Sequence, residues 1–166
     1  ETFLKLRRTV PRAFEEAKHI ENLEQQRERL EIPLAEVPDF FEALLLRARV
    51  EWAAGRIVEA LKDADRAVAL RPTDPAARIF RFRLLRFGFE DPAAERDLEA
   101  VPAEELAGSA PPGAVVRGWR DYLAGRFDSG LAEFRSVEYA PGLQLEAASG
   151  RGWCSLELGQ WKEAET

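Results

Sequence analysis

GRIVEALKDADRAVALRP, Gly55 to Pro72, decides the fold, because weakened copies of it return downstream at a fixed spacing. Gly125 lies 70 residues after Gly55, and Gly159 lies 34 after Gly125. The same intervals link Ile57, Phe127 and Trp161, and also Ala60, Gly130 and Ala164. Since 70 is two copies of about 35, a further copy belongs between them. Residues 76–100 supply it, with Ala94 lying 34 after Ala60 and Gly88 arriving one residue early. A period of roughly 20 to 50 residues predicts a stacked array, because one short unit cannot bury its apolar face alone.

Composition fits that reading. Of 166 residues, 46% are apolar, enough for a continuous core, and 33% are charged. The net charge of -6 opposes general attraction to nucleic acid or anionic lipid, though a local basic patch still acts within a Debye length. The lone Cys154 excludes an intrachain disulfide, which permits a reducing, cytoplasmic setting. No apolar run reaches membrane-spanning length, and ETFLKLRRT lacks the apolar core of a signal peptide. The chain begins at Glu1, has no Met and stops inside a repeat at Thr166, as expected of a piece excised from a longer protein.

Taken in order, residues 12–31 read as one helix after Pro11, with Pro33 and Pro38 making a connector. Residues 1–39 are thus an N-terminal helix and connector, or a degenerate leading repeat, since Pro38 lies 34 before Pro72. The array proper occupies 40–166, divided at about 40–74, 75–110, 111–144 and 145–166. Asp39 reads as the cap of the helix FFEALLLRARVEWAAG, and Gly55 as its left-handed terminator. In the next helix, Ala60, Ala64 and Ala67 let two axes approach closely. Residues 77–87 form the following first helix and 90–100 its partner. Residues 101–113 read as the longest and most mobile connector.

Laid against the turn, the pattern resembles the tetratricopeptide repeat, a helix-turn-helix of 34 residues. The matching positions are small Ala48, Gly118 and Gly152; Gly55, Gly125 and Gly159 at the turn; Ile57, Phe127 and Trp161 beyond it; Ala60, Ala94, Gly130 and Ala164; then Ala67 and Pro72. The resemblance covers about residues 40–166 and implies an all-α fold, a right-handed superhelical stack of antiparallel helix pairs. Phe82 stands where a small residue is usual, and Arg47 and Arg81 stand where the family often buries leucine.

Catalysis finds little support. His19 and Cys154 are 135 residues apart and neither lies in a nucleophile or metal-ligand motif. His19 reads as a surface histidine and Cys154 as a buried, inert thiol. The carboxylates Glu15, Glu16, Glu59 and Asp63 read as solvated helix faces. The glycines of SGRGW fall within a helix, where close packing accounts for them. No catalytic residue, metal ligand or cofactor is assigned.

The resemblance implies a concave groove lined by first helices. Two positions, three apart on each, would face it: Arg49 and Trp52, Arg83 and Arg86, Trp119 and Tyr122, Trp153 and Leu156. Aromatics supply contact area at low entropy cost and arginines pair with carboxylates, so the implied ligand is a protein segment, acidic with aromatic anchors. The plain alternative is that the tryptophans pack between repeats and that Arg83 pairs with Glu51. Other readings are a regulatory or self-assembling arm of a larger enzyme, joined end to end through the last repeat, and an RNA-binding repeat using RIFRFRLLR. The arginines of that run spread round the helix, which together with the acidic balance disfavours nucleic acid.

Overall fold

A computed structural model describes residues 2–106 and 111–160, and among these there are helices and no strand. The expected repeat positions Trp161 and Ala164, and residues 107–110 of the expected connector, lie outside the described residues. The chain falls into two compact units, Glu1–Ala94 and Glu95–Thr166.

The first unit opens with α1 (Thr2–Lys18), α2 (Leu23–Glu36), α3 (Phe41–Ala53), α4 (Ile57–Leu70) and α5 (Pro75–Arg83), each packed on its neighbour in sequence. The single helix expected over 12–31 is therefore two. Tight bonds from His19 N to Glu16 O and Ile20 N to Ala17 O close α1. The Asn22 side chain, accepting from Gln25 N at 3.0 Å, starts α2, and Gln26 reaches back to the Ala17 carbonyl. Pro11 and Pro33 sit inside these helices rather than ending them. Asp39 does not cap α3. Its carboxylate is held by Arg66 of α4, and Phe40 occupies the cap position with no side-chain bond.

Gly55 adopts φ +77°, in the left-handed region, as Gly125 (+73°) and Gly159 (+71°) do, each two residues after its helix ends. Bonds from Arg56 N to Glu51 O, Arg126 N to Asp121 O and Gln160 N to Ser155 O complete the same helix-ending motif three times. The core of the first unit gathers Phe41, Leu45, Ala48, Ala60, Ala64, Ala67, Phe80 and Leu84.

Downstream of α5 the helix widens to a π-turn over Leu84–Gly88, then passes through a 3-10 turn at Pro92–Ala94. Gly88 is not the turn residue. The left-handed conformation falls on Glu90, φ 53°, midway between Gly55 and Gly125, and Asp91 N reaches one residue further back than usual, to Leu85 O. One inserted residue puts this turn 35 after Gly55 and accounts for one of the two residues by which the interval of 36 between Arg83 and Trp119 exceeds 34.

The second unit contains α6 (Glu95–Glu99), α7 (Ala103–Leu106), α8 (Pro111–Leu123), α9 (Phe127–Ser136) and α10 (Gln144–Glu157). The expected helix over 90–100 is thus short, and α7 interrupts the expected connector. Helices α8 and α10, first helices of successive repeats, touch each other as well as α9. Phe134 of α9 is fully buried against Gly118 of α8 and Gly150 of α10; a Cβ on Gly118 would lie 2.8 Å from the ring.

Candidate functional site

Each unit carries its own candidate face, built from first helices. In the first unit, α3 contributes Arg49 and Trp52, both half-buried, and α5 contributes Arg83, which is buried. The Trp52 ring lies 5.3 Å from Phe80, centroid to centroid. The Arg83 guanidinium sits 4.9 Å over Trp52, and Arg49 sits 5.9 Å over Phe80. Cation and ring alternate across the two helices, a stacking that costs arginine little because its guanidinium is weakly hydrated. Arg83 is therefore joined to Trp52, while Glu51 is taken by Arg56. Arg86, in the π-turn, is exposed.

In the second unit, Trp119 is fully buried, edge-on to Phe134 at 5.2 Å and to Tyr122 at 5.7 Å. It supports the face from beneath. Tyr122 is half-buried and meets Trp153 of α10 at 6.5 Å, and Trp153 keeps 37% of its surface open, as does Leu156. The Tyr122 hydroxyl lies 3.4 Å from Glu157. Trp52 thus packs onto the next first helix and Trp153 onto the preceding one, while Tyr122 and Trp153 also face outward.

The arginines two positions before this face, among them Arg47 and Arg81, are held in ion pairs that the sequence reading did not assign. Arg47, Arg81, Arg117 and Arg151 share one register. Arg47 clasps Asp63 of α4 through two bonds of 2.7 and 2.8 Å and reaches Glu31 of α2 at 3.0 Å. Arg117 clasps Glu133 of α9 in the same way, at 2.9 and 2.8 Å, and takes the Leu106 carbonyl. Arg81 meets Asp65, and Arg151 meets Glu138. The bond to Asp63 holds the Arg47 guanidinium more firmly protonated than an ordinary arginine, and Glu133 does the same for Arg117. Asp63 is consequently buried, contrary to the expectation of a solvated carboxylate. The signal was present in the sequence, since Arg47 and Asp63 recur 70 residues on as Arg117 and Glu133.

Of the residues weighed for chemistry, His19 is exposed and Cys154 is fully buried. Burial, and secondarily the charges of Asp121 and Glu157, push the Cys154 thiol up to about 11, far from the range of a reactive thiolate. No group of three or more His, Cys, Asp or Glu among the described residues is placed to hold a metal ion. No described helix is long and apolar enough to cross a membrane.

Residues 41–84, which span α3, α4, α5 and the start of the π-turn, match the family model of the tetratricopeptide repeat. This segment resembles a tetratricopeptide repeat. Comparison with curated proteins finds no match. Among solved structures, the crystal structure of MamA protein is similar over 97% of this chain and 87% of its own, with a TM-score of 0.56 and 16% identity. MamA from Desulfovibrio magneticus RS-1, residue 41 to its end, is similar over 94% and 87%, with a TM-score of 0.56 and 15% identity. At such identity the likeness is one of fold, and it extends the tetratricopeptide-like helical architecture beyond the matched repeat.

Proposed function

We propose that this chain is a non-catalytic scaffold that holds an extended or helical segment of another protein on the face formed by successive first helices within a unit. A tetratricopeptide repeat in an all-helical chain supports a protein-interaction role in general terms. The observation that carries the finer reading is the Tyr122–Trp153 contact. Two large amphipathic rings on successive first helices meet at 6.5 Å while Trp153 remains 37% exposed. Large, stiff rings at a surface give contact area with little rotamer entropy to lose, which is the character of binding hot spots. In the first unit Trp52 and Arg49 give the corresponding helices a ring and a cation.

The test is to select peptides from a random displayed library and map hydrogen-exchange protection by the best binder. Protection should concentrate in α3 and α5 or in α8 and α10, and Trp153→Ala with Tyr122→Ala should weaken binding while leaving the helical signal intact. Protection confined to α4 and α9, the second helices, would remove the assignment.

A further inference from the structure

The second unit carries a cleft whose walls include none of the rings described above. About 340 Å³ in volume, it lies between the short helix α6 and the end of α8, which pack together, and is lined by Glu95, Leu98, Glu99, Arg120, Leu123 and Ala124. Small-molecule sites span roughly 300 to 1,000 Å³ and combine an apolar lining with a few polar groups that fix orientation. This cleft has that character at the small end of the range.

The charges at its edge are not spent on one another. Elsewhere in the unit arginines close on nearby carboxylates, as Arg117 does on Glu133, Arg126 on Asp121 and Arg151 on Glu138. Arg120 shares the cleft with two glutamates and pairs with neither. It donates instead to the Leu98 carbonyl at 2.7 Å, and among the described residues it has no ion pair. Glu95 and Glu99 are exposed and also lack an ion pair among the described residues, even to Arg96 beside them. They stand one turn apart on α6, an arrangement of like charges that weakens a helix. Asp121, next along α8, is already held by Arg126. The cleft therefore offers two negative charges and one positive around the aliphatic side chains of Leu98 and Leu123.

We propose that this cleft binds a free basic amino acid, such as lysine or arginine. Its two cationic groups meet Glu95 and Glu99, its carboxylate takes N–H groups of Arg120 that the Leu98 carbonyl does not use, and its aliphatic stem lies on the leucines. A guanidinium has five N–H donors in a planar fork, so one bond to a carbonyl leaves donors for a carboxylate. Every charge of such a ligand finds its opposite here, which a simple amine or an uncharged amino-acid side chain does not achieve. The inference goes beyond the peptide-binding reading and does not rest on it. Because the ligand bridges α6 and α8, it stabilises the unit that holds it.

Isothermal titration of the whole chain at low salt compares lysine and arginine with three compounds that each lack part of the pattern. Norleucine lacks the side-chain cation, cadaverine the carboxylate, and Nα-acetyl-lysine amide both charges at the α-carbon. Lysine or arginine should bind about tenfold or more tighter than any of them. Glu95→Gln with Glu99→Gln should cost the ligand about tenfold, with circular dichroism unchanged because both side chains are exposed. Arg120→Ala should lower lysine to the affinity of cadaverine. Since Arg120 also holds the Leu98 carbonyl, Ala124→Trp serves beside it, filling the cleft from an exposed position and leaving that bond intact. It should abolish binding. In thermal melts the ligand should raise the Tm of the wild type and leave that of the double glutamine variant unmoved. Absence of binding by lysine and arginine to the wild type overturns the proposal, as does undiminished binding by the glutamine variant. So does equal affinity for lysine and Nα-acetyl-lysine amide, which would make the cleft a seat for a lysine side chain of a partner protein.

Discussion

Cys154 illustrates how burial, helped by nearby carboxylates, sets a residue's chemistry. Its thiol is fully enclosed in α10, with Sγ 3.1 Å from where a Cβ on Gly130 would lie, and its pKa stands at about 11 against an ordinary 9.0. The fold prefers the neutral thiol. Its contribution is therefore complete below pH 9.0 and lost as pH rises through about 11. Denaturant melts at stepped alkaline pH should show an extra loss on the order of 2 kcal/mol in wild type that is absent from Cys154→Ala. At pH 8 a thiol reagent should label the native chain only as fast as it opens. Immediate labelling at native protection, or identical alkaline limbs in the two proteins, would show the thiol to be accessible.

At the scale of elements, the three glycine turns were legible and the ion pairs and packing were not. Gly55, Gly125 and Gly159 announce their left-handed turns because no other residue adopts that conformation cheaply. The start of α2 was also written locally, in Asn22 followed three residues later by Gln25, while Pro11 and Pro33, which elsewhere bound helices, lie inside these two. What no single stretch displays is an exchange of volume between helices. Ala64 and Phe80, 16 apart, share the core of the first unit, and their counterparts 70 residues on are Phe134 and Gly150, with large and small reversed. The candidate residues do fall on first helices, Arg86 on the π-turn, but the burial of Trp119 and Arg83 follows from neighbours that only the fold supplies. The clasp of Arg47 on Asp63 gives the sharpest prediction at this scale. Arg47→Leu, the family's more usual residue, should cost about 2 kcal/mol, because it leaves a buried carboxylate without its charge partner. Arg47→Leu with Asp63→Leu should recover most of that loss, since an apolar pair needs no desolvation of charge. Urea melts of the two singles and the double decide it. Additive losses in the double would mean that the clasp is incidental to stability.

For the whole chain, packing follows sequence: nearly every helix contact lies between an element and its neighbour or next neighbour. Arrays of this kind behave as a line of local units joined by interfaces, so a defect weakens its surroundings more than remote repeats. Gly150 is the place to introduce one. It faces the fully buried Phe134 ring, and the Cβ of an alanine would overlap that ring, while α10 has no room to retreat without losing its seat on α9. Gly150→Ala should cost about 1–3 kcal/mol by overpacking, despite the better helix propensity of alanine, and Phe134→Leu should relieve it. Hydrogen exchange then reads how far the damage spreads. Protection should fall in α8, α9 and α10 of the second unit and change much less in α3 and α4 of the first. An equal loss across both units would mean that the chain unfolds as one cooperative body, and the repeat-by-repeat account of its stability would fail with it.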